Sequence, residues 1–423
     1  MTIHTYRVRR VRMYEEATFA TDATASIASF VSCVFKDAQL TLDNPRVNTG
    51  EMMKKMDAQP YDVLTGYKRA TLTLTCNLTG QDVRTTDGVA HVQVAQGMLL
   101  RNYLGSERLG KGDIATTGST ATTIVTTTAA DWASGAGIAL ADQVVSGDMI
   151  MMHAAGLSTA TVTTNPQMVT ANIPVNAQQI YGAATYYLGP SDQDSSENKT
   201  IQIAVEGLVT TDRFLLLGGK VTQAAFSFPR GEIATATFTI QFANWIYGAS
   251  AATDLTSDTA PLTFASEALN GYPLPVHHSP CYWTDDAGSN VQTTINPSSI
   301  EIGCSPRWVP IPCTAGTNGV LGWARAQTPD VVTASVTVPF ESTATWMTER
   351  DTYGAGSTGR LSFGVGGTVG LGGCLFYARL QPRNVQIVEV EGLTYQTVDF
   401  VGGVPITSDV ADLIDSPFYI HMF

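Results

Sequence analysis

The sequence is short of charge, and above all of cations. Lys and Arg number 24 against 37 Asp and Glu in 423 residues, charged residues make up 14%, and the net charge is −13. Such a chain is a weak candidate for gripping nucleic acid through phosphate neutralisation, which needs clustered Lys and Arg. An acidic surface can still contain or repel nucleic acid. No apolar run reaches the ~18 residues that a membrane-spanning helix needs. Arg7, Arg9, Arg10 and Arg12 near the start are followed by Met13-Tyr14-Glu15-Glu16 and no apolar stretch, so no secretory signal is expected. Cysteine is sparse: Cys33, Cys76, Cys281, Cys304, Cys313 and Cys374 include no CxxC pair and read as free thiols of a reducing compartment.

Catalytic signatures are missing too. There is no GxSxG, no GxxxxGK[ST] and no HExxH, so no enzyme activity, catalytic residue, cofactor or small-molecule substrate is expected. His277-His278 with Cys281 lacks a second pair at zinc-finger spacing and reads as a surface loop without metal. Asp192, Asp194 and Ser196 begin like a calcium loop, but Glu197 stands where glycine is needed, which leaves a solvated turn. Gly364, Gly366, Gly367 and Gly370 precede a strand where a phosphate loop would open a helix.

What the chain does have is strict alternation. In Leu217–Asn244, Ala224, Phe226 and Phe228 share one face of a first strand, and Ala234, Ala236, Phe238, Ile240 and Phe242 one face of a second. Their alternates are Gln223, Ser227, Thr235, Thr237, Thr239 and Gln241, which makes a sheet dry on one face and wet on the other. Pro229 and Gly231 specify the reversal. Ala70, Leu72, Leu74, Cys76 and Leu78 alternate with Thr71, Thr73, Thr75 and Asn77, and helical spacing from Val89 to Tyr103 predicts a helix over about 88–104.

By the prior of ~150 residues per domain, the length suggests two to four units. Residues 1–29 read as a solvated arm or one that docks on an acidic neighbour; 30–105 with 200–246 form a first module. Residues 106–199, rich in Thr, Ala and Gly, read as an inserted small β domain, 247–289 as a linker region, and 290–423 as a second module. The second module repeats the first in outline. Ile300, Ile302 and Cys304 form a strand, 306–329 a long loop, and Val332, Ala334, Val336, Val338 and Phe340 alternate with Thr333, Ser335 and Thr337; 341–353 fits a helix. The turn glycine Gly392 follows Gly367 by 25 residues, as Gly231 follows Gly207 by 24.

This order of elements, the run GGKVTQAAFSFPRGEIATATFTIQF at 218–242 and the run Val388-Glu389-Val390-Glu391-Gly392-Leu393 resemble the tail tube proteins of long-tailed bacteriophages. The resemblance implies a mainly β fold: two duplicated β-sandwich or barrel modules, each with a flanking helix, plus the inserted β domain on the tube exterior. It implies a structural virion protein, assembled in the host cytoplasm, whose partners are itself, as trimeric pseudo-hexameric rings stacked into a tube, and other tail proteins. DNA would pass through the lumen without specific binding. On this reading Thr71, Thr73, Thr75, Thr235, Thr237, Thr239, Thr333, Ser335 and Thr337 line the lumen. Met52, Met53, Met56 and Trp308, in the long loops 46–65 and 306–329, would touch the adjacent ring. The acidic run Asp409, Asp412 and Asp415 would pair with the arginines of a neighbour's arm. The alternative from another class is a β-rich virion decoration or adhesin, or a capsid-associated binding protein; aromatic clusters at loop tips of the insert, which holds Trp132, Tyr181, Tyr186 and Tyr187, would favour it.

Overall fold

The computed structural model describes residues 8, 10–20, 30–43, 46–48, 63–65, 68–80, 94–127, 136–146, 148–158, 160–188, 199–206, 213–247, 273–276, 279–285, 292–317, 319–326, 331–339, 358–368, 372–390, 392–402 and 416–423. It is mainly β. In chain order, β1 (Arg10–Glu15), β2 (Val31–Cys33), β3 (Asp37–Asp43), β4 (Arg46–Asn48), β5 (Val63–Thr65) and β6 (Arg69–Asn77) lead to α1 (Ala95–Leu104) and β7 (Gly105–Leu109). Then come β8 (Asp113–Ile114), β9 (Thr123–Val125), β10 (Gly137–Ala141), β11 (Met149–Ser158), β12 (Thr161–Asn165), β13 (Gln179–Gly182) and β14 (Ala184–Leu188). These are followed by β15 (Ile201–Glu206), β16 (Arg213–Ser227), β17 (Thr235–Phe242), β18 (Asn244–Tyr247), β19 (Cys281–Asp285), β20 (Gln292–Ile295) and β21 (Ser299–Ser305). The chain ends with β22 (Trp308–Thr317), β23 (Val320–Arg325), β24 (Val331–Pro339), β25 (Gly359–Thr368), β26 (Gly372–Val390), β27 (Leu393–Gly402) and β28 (Phe418–Met422).

Two large antiparallel sheets dominate. The first has the strand order β2-β1-β15-β16-β17-β6-β3 and the second β20-β19-β25-β26-β27-β24-β21. These are one connectivity written twice, since β1, β2, β3, β6, β15, β16 and β17 stand where β19, β20, β21, β24, β25, β26 and β27 stand. Register agrees as well. Thr75 lies opposite Thr237 and Asp37, and Thr337 opposite Thr397 and Ser299. The Lys36 N–H donates to Thr75 O at 2.7 Å, as the Ser298 N–H does to Thr337 O at 2.7 Å. β16 and β26 each carry a bulge, between Val221 and Gln223 and between Pro382 and Asn384. Their hairpins turn at Gly231 (φ 74°) and Gly392 (φ 77°), a backbone conformation that only glycine adopts without strain.

Alternation decides which face is dry. Along β6, Ala70, Leu72, Leu74 and Cys76 are buried and the threonines between them half-exposed. The dry faces of both sheets share one continuous core that includes Leu72, Phe238, Trp283, Phe363, Phe376 and Phe400. Helix α1 lies against β14, β16, β7 and β2 and adds Leu99, Leu100 and Tyr103 to that core. It ends where Gly105 takes a left-handed φ of 97°, its N–H bonded to Arg101 O.

Several expectations need correction. Residues 10–15 are not part of an arm: β1 is an interior strand of the first sheet, with Val11, Met13 and even Arg12 buried. Arg10 reaches Glu206 at 3.4 Å, while Arg7 and Arg9 lie outside the described residues. The region 247–289 is not all linker, because its Cys281–Asp285 is β19, an interior strand of the second sheet, where Trp283 is fully buried. The described helix begins at Ala95, and the helix expected at 341–353 lies outside the described residues.

The insert has its own six-stranded sheet, β8-β13-β10-β11-β12-β9, and its own core of Ile124, Ile138, Leu140, Met152, Val162 and Ile180. Its flanks belong elsewhere. β7 pairs with β14, β14 with β28, and β28 with β26, so the ends of the expected 106–199 unit are woven into the second sheet. The expected loop 306–329 contains the hairpin β22–β23, and 46–65 contains the short pair β4–β5.

Trp283 stands 5.1 Å from Phe400, and a Cβ placed on Gly359 would meet its ring at 2.2 Å. Trp283→Ala is therefore expected to cost ~3–5 kcal/mol of stability, measurable as a drop in the urea midpoint. A linker residue at this position would leave the midpoint unmoved.

Candidate channel wall and sheet edges

The nine lumen-lining candidates all sit on the open faces of the two sheets. Thr71, Thr73, Thr75, Thr235, Thr237, Thr239, Ser335 and Thr337 are half-exposed and Thr333 is exposed; α1 packs on the opposite, dry side. They stand in cross-strand rows. Gln39, Thr73, Thr239 and Gln223 form one row, and Glu301, Ser335, Asp399 and Asn384 the row in the same register of the second sheet. Hydroxyl pairs tie the rows: Thr75 Oγ1 to Thr237 Oγ1 at 3.1 Å, and, at the matching position, Thr337 Oγ1 to Thr397 Oγ1 at 2.9 Å. Ser335 donates to Asp399 Oδ1 at 2.9 Å. Among the described residues of the strands that carry these rows, β3, β6, β17, β21, β24, β27 and the second halves of β16 and β26, the charges on this side are Asp37, Asp43, Glu301 and Asp399 against Arg69, with Arg383 at the β26 bulge. The surface is thus hydroxyl- and amide-rich and mildly acidic, unlike a phosphate-gripping one.

Thr397, Asp399, Asn384 and Glu301 went unnamed in the sequence reading. Gln396 is the reason for the first two: it is a buried polar residue on the dry face of β27, so Leu393–Gly402 does not alternate cleanly.

The second feature is the seam between the sheets. Beyond Lys220, β16 pairs among the described residues only with β17, and its other side runs along β21. A groove of about 1270 Å³ lies over this seam, floored by 224–227 of β16 with the following Phe228 and Pro229 and by 299–305 of β21, and flanked by Ser335 and Asp399. Beneath it Phe226 meets Phe376 edge-on at 5.1 Å, and Phe228 meets Phe363 at 5.0 Å. Ile300, Ile302 and Cys304 of β21 are buried here. Their counterparts in β3, Ala38, Leu40 and Leu42, are only half-buried, and Ile387 of β26, the counterpart of Phe226, is 60% exposed.

Trp308 is not available to an adjacent ring. Its indole donates to Tyr103 O at 2.7 Å and lies under the Lys220 ammonium, 3.7 Å from the ring centroid. Trp323 of the same hairpin donates to Gly218 O at 2.9 Å, so the base of β22–β23 is fastened to the first sheet's side of the chain. Burial pushes the Lys220 amine well below its usual range, with Arg101 adding to this and Glu15 opposing it. Met52, Met53 and Met56 lie outside the described residues, as do His277, His278, Trp132, Asp192, Asp194, Asp409, Asp412 and Asp415. Among the described residues no three His, Cys, Asp or Glu side chains converge as a metal site, and no helix is long and apolar enough to cross a membrane. Tyr186 is buried and Tyr187 packs 6.2 Å from Tyr419, so these two do not form an exposed aromatic tip.

A buried polar ladder fastens the insert. His153 Nδ1 lies 3.0 Å from His421 Nε2, and His421 Nδ1 lies 2.9 Å from Thr185 Oγ1, which accepts the Gly137 N–H at 3.1 Å. β11, β28, β14 and β10 thereby meet at one point. The ring of His153 stacks on Tyr377 at 3.9 Å. Only one proton fits between the two facing nitrogens, in either tautomer. Burial lowers His421 to about 3. Burial, then His421, Arg379 and Arg360, depresses His153 well below its usual range.

No protein-family model matches this chain, and no curated protein sequence matches it.

The histidine ladder has a pH signature. Both rings are neutral in the folded chain, and the unfolded chain takes up protons below about pH 6.5. Stability is therefore complete above that pH and falls on acidification towards pH 3, by up to ~1.4 kcal/mol per pH unit for each histidine. Urea midpoints at pH 7 and pH 5 should differ accordingly, and His421→Gln should show the shallower decline.

Proposed function

We propose that this chain is the tail tube subunit of a long-tailed bacteriophage, a structural virion protein that closes as trimers into pseudo-six-fold rings and stacks into a DNA-conducting tube. The observation that carries the reading is the seam. Inside one chain, the free half of β16 lies along the edge strand β21 and buries Ile300, Ile302 and Cys304. Two equivalent edges, 383–390 of β26 and β3, have no further strand along them among the described residues, with Ile387 exposed and Ala38, Leu40 and Leu42 half-covered. Bringing β3 of one copy against β26 of the next repeats the internal seam. This contact is head-to-tail, so it propagates until a ring closes, and it covers edges along which no described strand of a lone chain runs.

The open faces then form one wall. Its rows of Thr, Ser, Gln and Asn carry few cations, so DNA moves along it without the counterion release that would hold it. The insert, rooted on β14 and β28, belongs to the exterior of such a tube.

Electron microscopy of the purified chain tests the reading. Rings of three subunits or hollow tubes are expected for the natural sequence. Ile387→Asp, at an exposed position, should leave circular dichroism and melting unchanged while abolishing rings. Persistent monomers of the natural chain in the presence of tail-initiation components would sink the proposal, as would undiminished assembly of the variant.

A further inference from the structure

The first sheet is closed by a single bent ribbon. β2 is bonded to β1 with Cys33 opposite Val11, and four residues later β3 is bonded to β6 with Asp37 opposite Thr75. Residues 31–43 thus supply both terminal strands of the same sheet. Cys33 sits at the bend, against the strand with which its own continuation pairs. There its sulfur lies 3.8 Å from that of Cys76, and both residues are buried.

The fold does not demand sulfur at this place. In the second sheet the same register positions hold Ile295, opposite Cys281 as Cys33 is opposite Val11, and Val338, which follows Thr337 as Cys76 follows Thr75. Aliphatic side chains fill the corner there. The first sheet instead has two thiols in contact.

We propose that Cys33 and Cys76 are a dithiol that oxidises to a disulfide and covalently closes the first sheet at its bend. The sulfurs need to approach from 3.8 Å to ~2.05 Å, a distance that side-chain rotation spans. With oxidised glutathione as the acceptor, one thiolate attacks the glutathione disulfide and expels one glutathione thiolate. The second thiolate then attacks the protein-bound sulfur of the mixed disulfide and expels the other. Two S–H bonds break, one protein S–S bond forms, and the acceptor leaves as two reduced glutathione molecules carrying the two electrons and two protons. Burial makes the exchange slow, because it waits for local opening of the bend. An assembled particle meets such an oxidant on leaving a reducing cytoplasm; that setting rests on the tail-tube reading, whereas the bond does not.

The test uses the purified native chain, whether or not it assembles, incubated with oxidised glutathione, then denatured, alkylated and mapped by peptide mass. The expected product is a linked pair of peptides containing Cys33 and Cys76, lighter by two hydrogens, with alkylatable thiols falling from six to four. The melting temperature should rise by about 5 °C and return on reduction. Cys76→Val, which takes the residue of the matching second-sheet position, should fold to the same secondary structure and gain nothing from the oxidant. Six alkylated cysteines, glutathione retained on Cys33, or links scrambled onto Cys313 would each overturn the proposal.

Discussion

A strand at the end of a sheet carries a row of N–H and C=O groups that must find partners, and the architecture of this chain follows from where those groups go. Each large sheet is ended by two strands drawn from one continuous segment, β2 with β3 and β20 with β21, so both margins are made by neighbouring residues. Each long central strand, β16 and β26, is paired on both sides over its first half and on one side over its second. The second half of β16 lies along β21 within the chain; among the described residues, no strand lies along the second half of β26 or the outer edge of β3 in the same way. The core beneath the seam, Phe226 and Phe228 against Phe363 and Phe376, exists because those edges come together.

Much of this was legible in the sequence wherever one face is dry and the other wet. β6, β16, β17, β21 and β24 alternate so regularly that their faces, and the nine hydroxyl residues on the open side, follow from period two alone. β1 and β19 were not legible, for a physical reason. Arg10–Glu15 reads as charged, yet it is paired with β15 and β2 on either side, and Val11, Arg12 and Met13 are carried into the interior by strands distant in sequence. Cys281–Asp285 is too short to show a period. Trp308 misled because its burial depends on the β22–β23 hairpin packing against Tyr103 of α1 and Lys220 of β16, which local pattern does not encode. The ladder of His153 and His421 joins residues 268 positions apart and had no local signal at all.

The strands that flank the insert show how it is held apart from the Thr-rich faces. β7 continues directly from α1 and pairs with β14; β14 pairs with β28, which in turn pairs with the first half of β26. The insert is therefore continuous with the second sheet through backbone bonds, and Met149 and Met151 pack against Leu375 and Phe423 there, while the core of Ile124, Ile138, Leu140 and Val162 stays within the insert. The histidine ladder at this junction puts two titratable rings where four strands meet.

Having two sheets of one connectivity in a single polypeptide also limits what can be counted. If rings close through repeated seams, every chain contributes its sheets in pairs, and the number of sheets around any closed ring is even. A ring of five or seven, the nearest miscounts open to a one-sheet subunit aiming at six, cannot be made from whole copies of this chain. Fidelity of ring size would then be set by covalent connectivity, with the curvature of each seam left to choose only among widely spaced sizes.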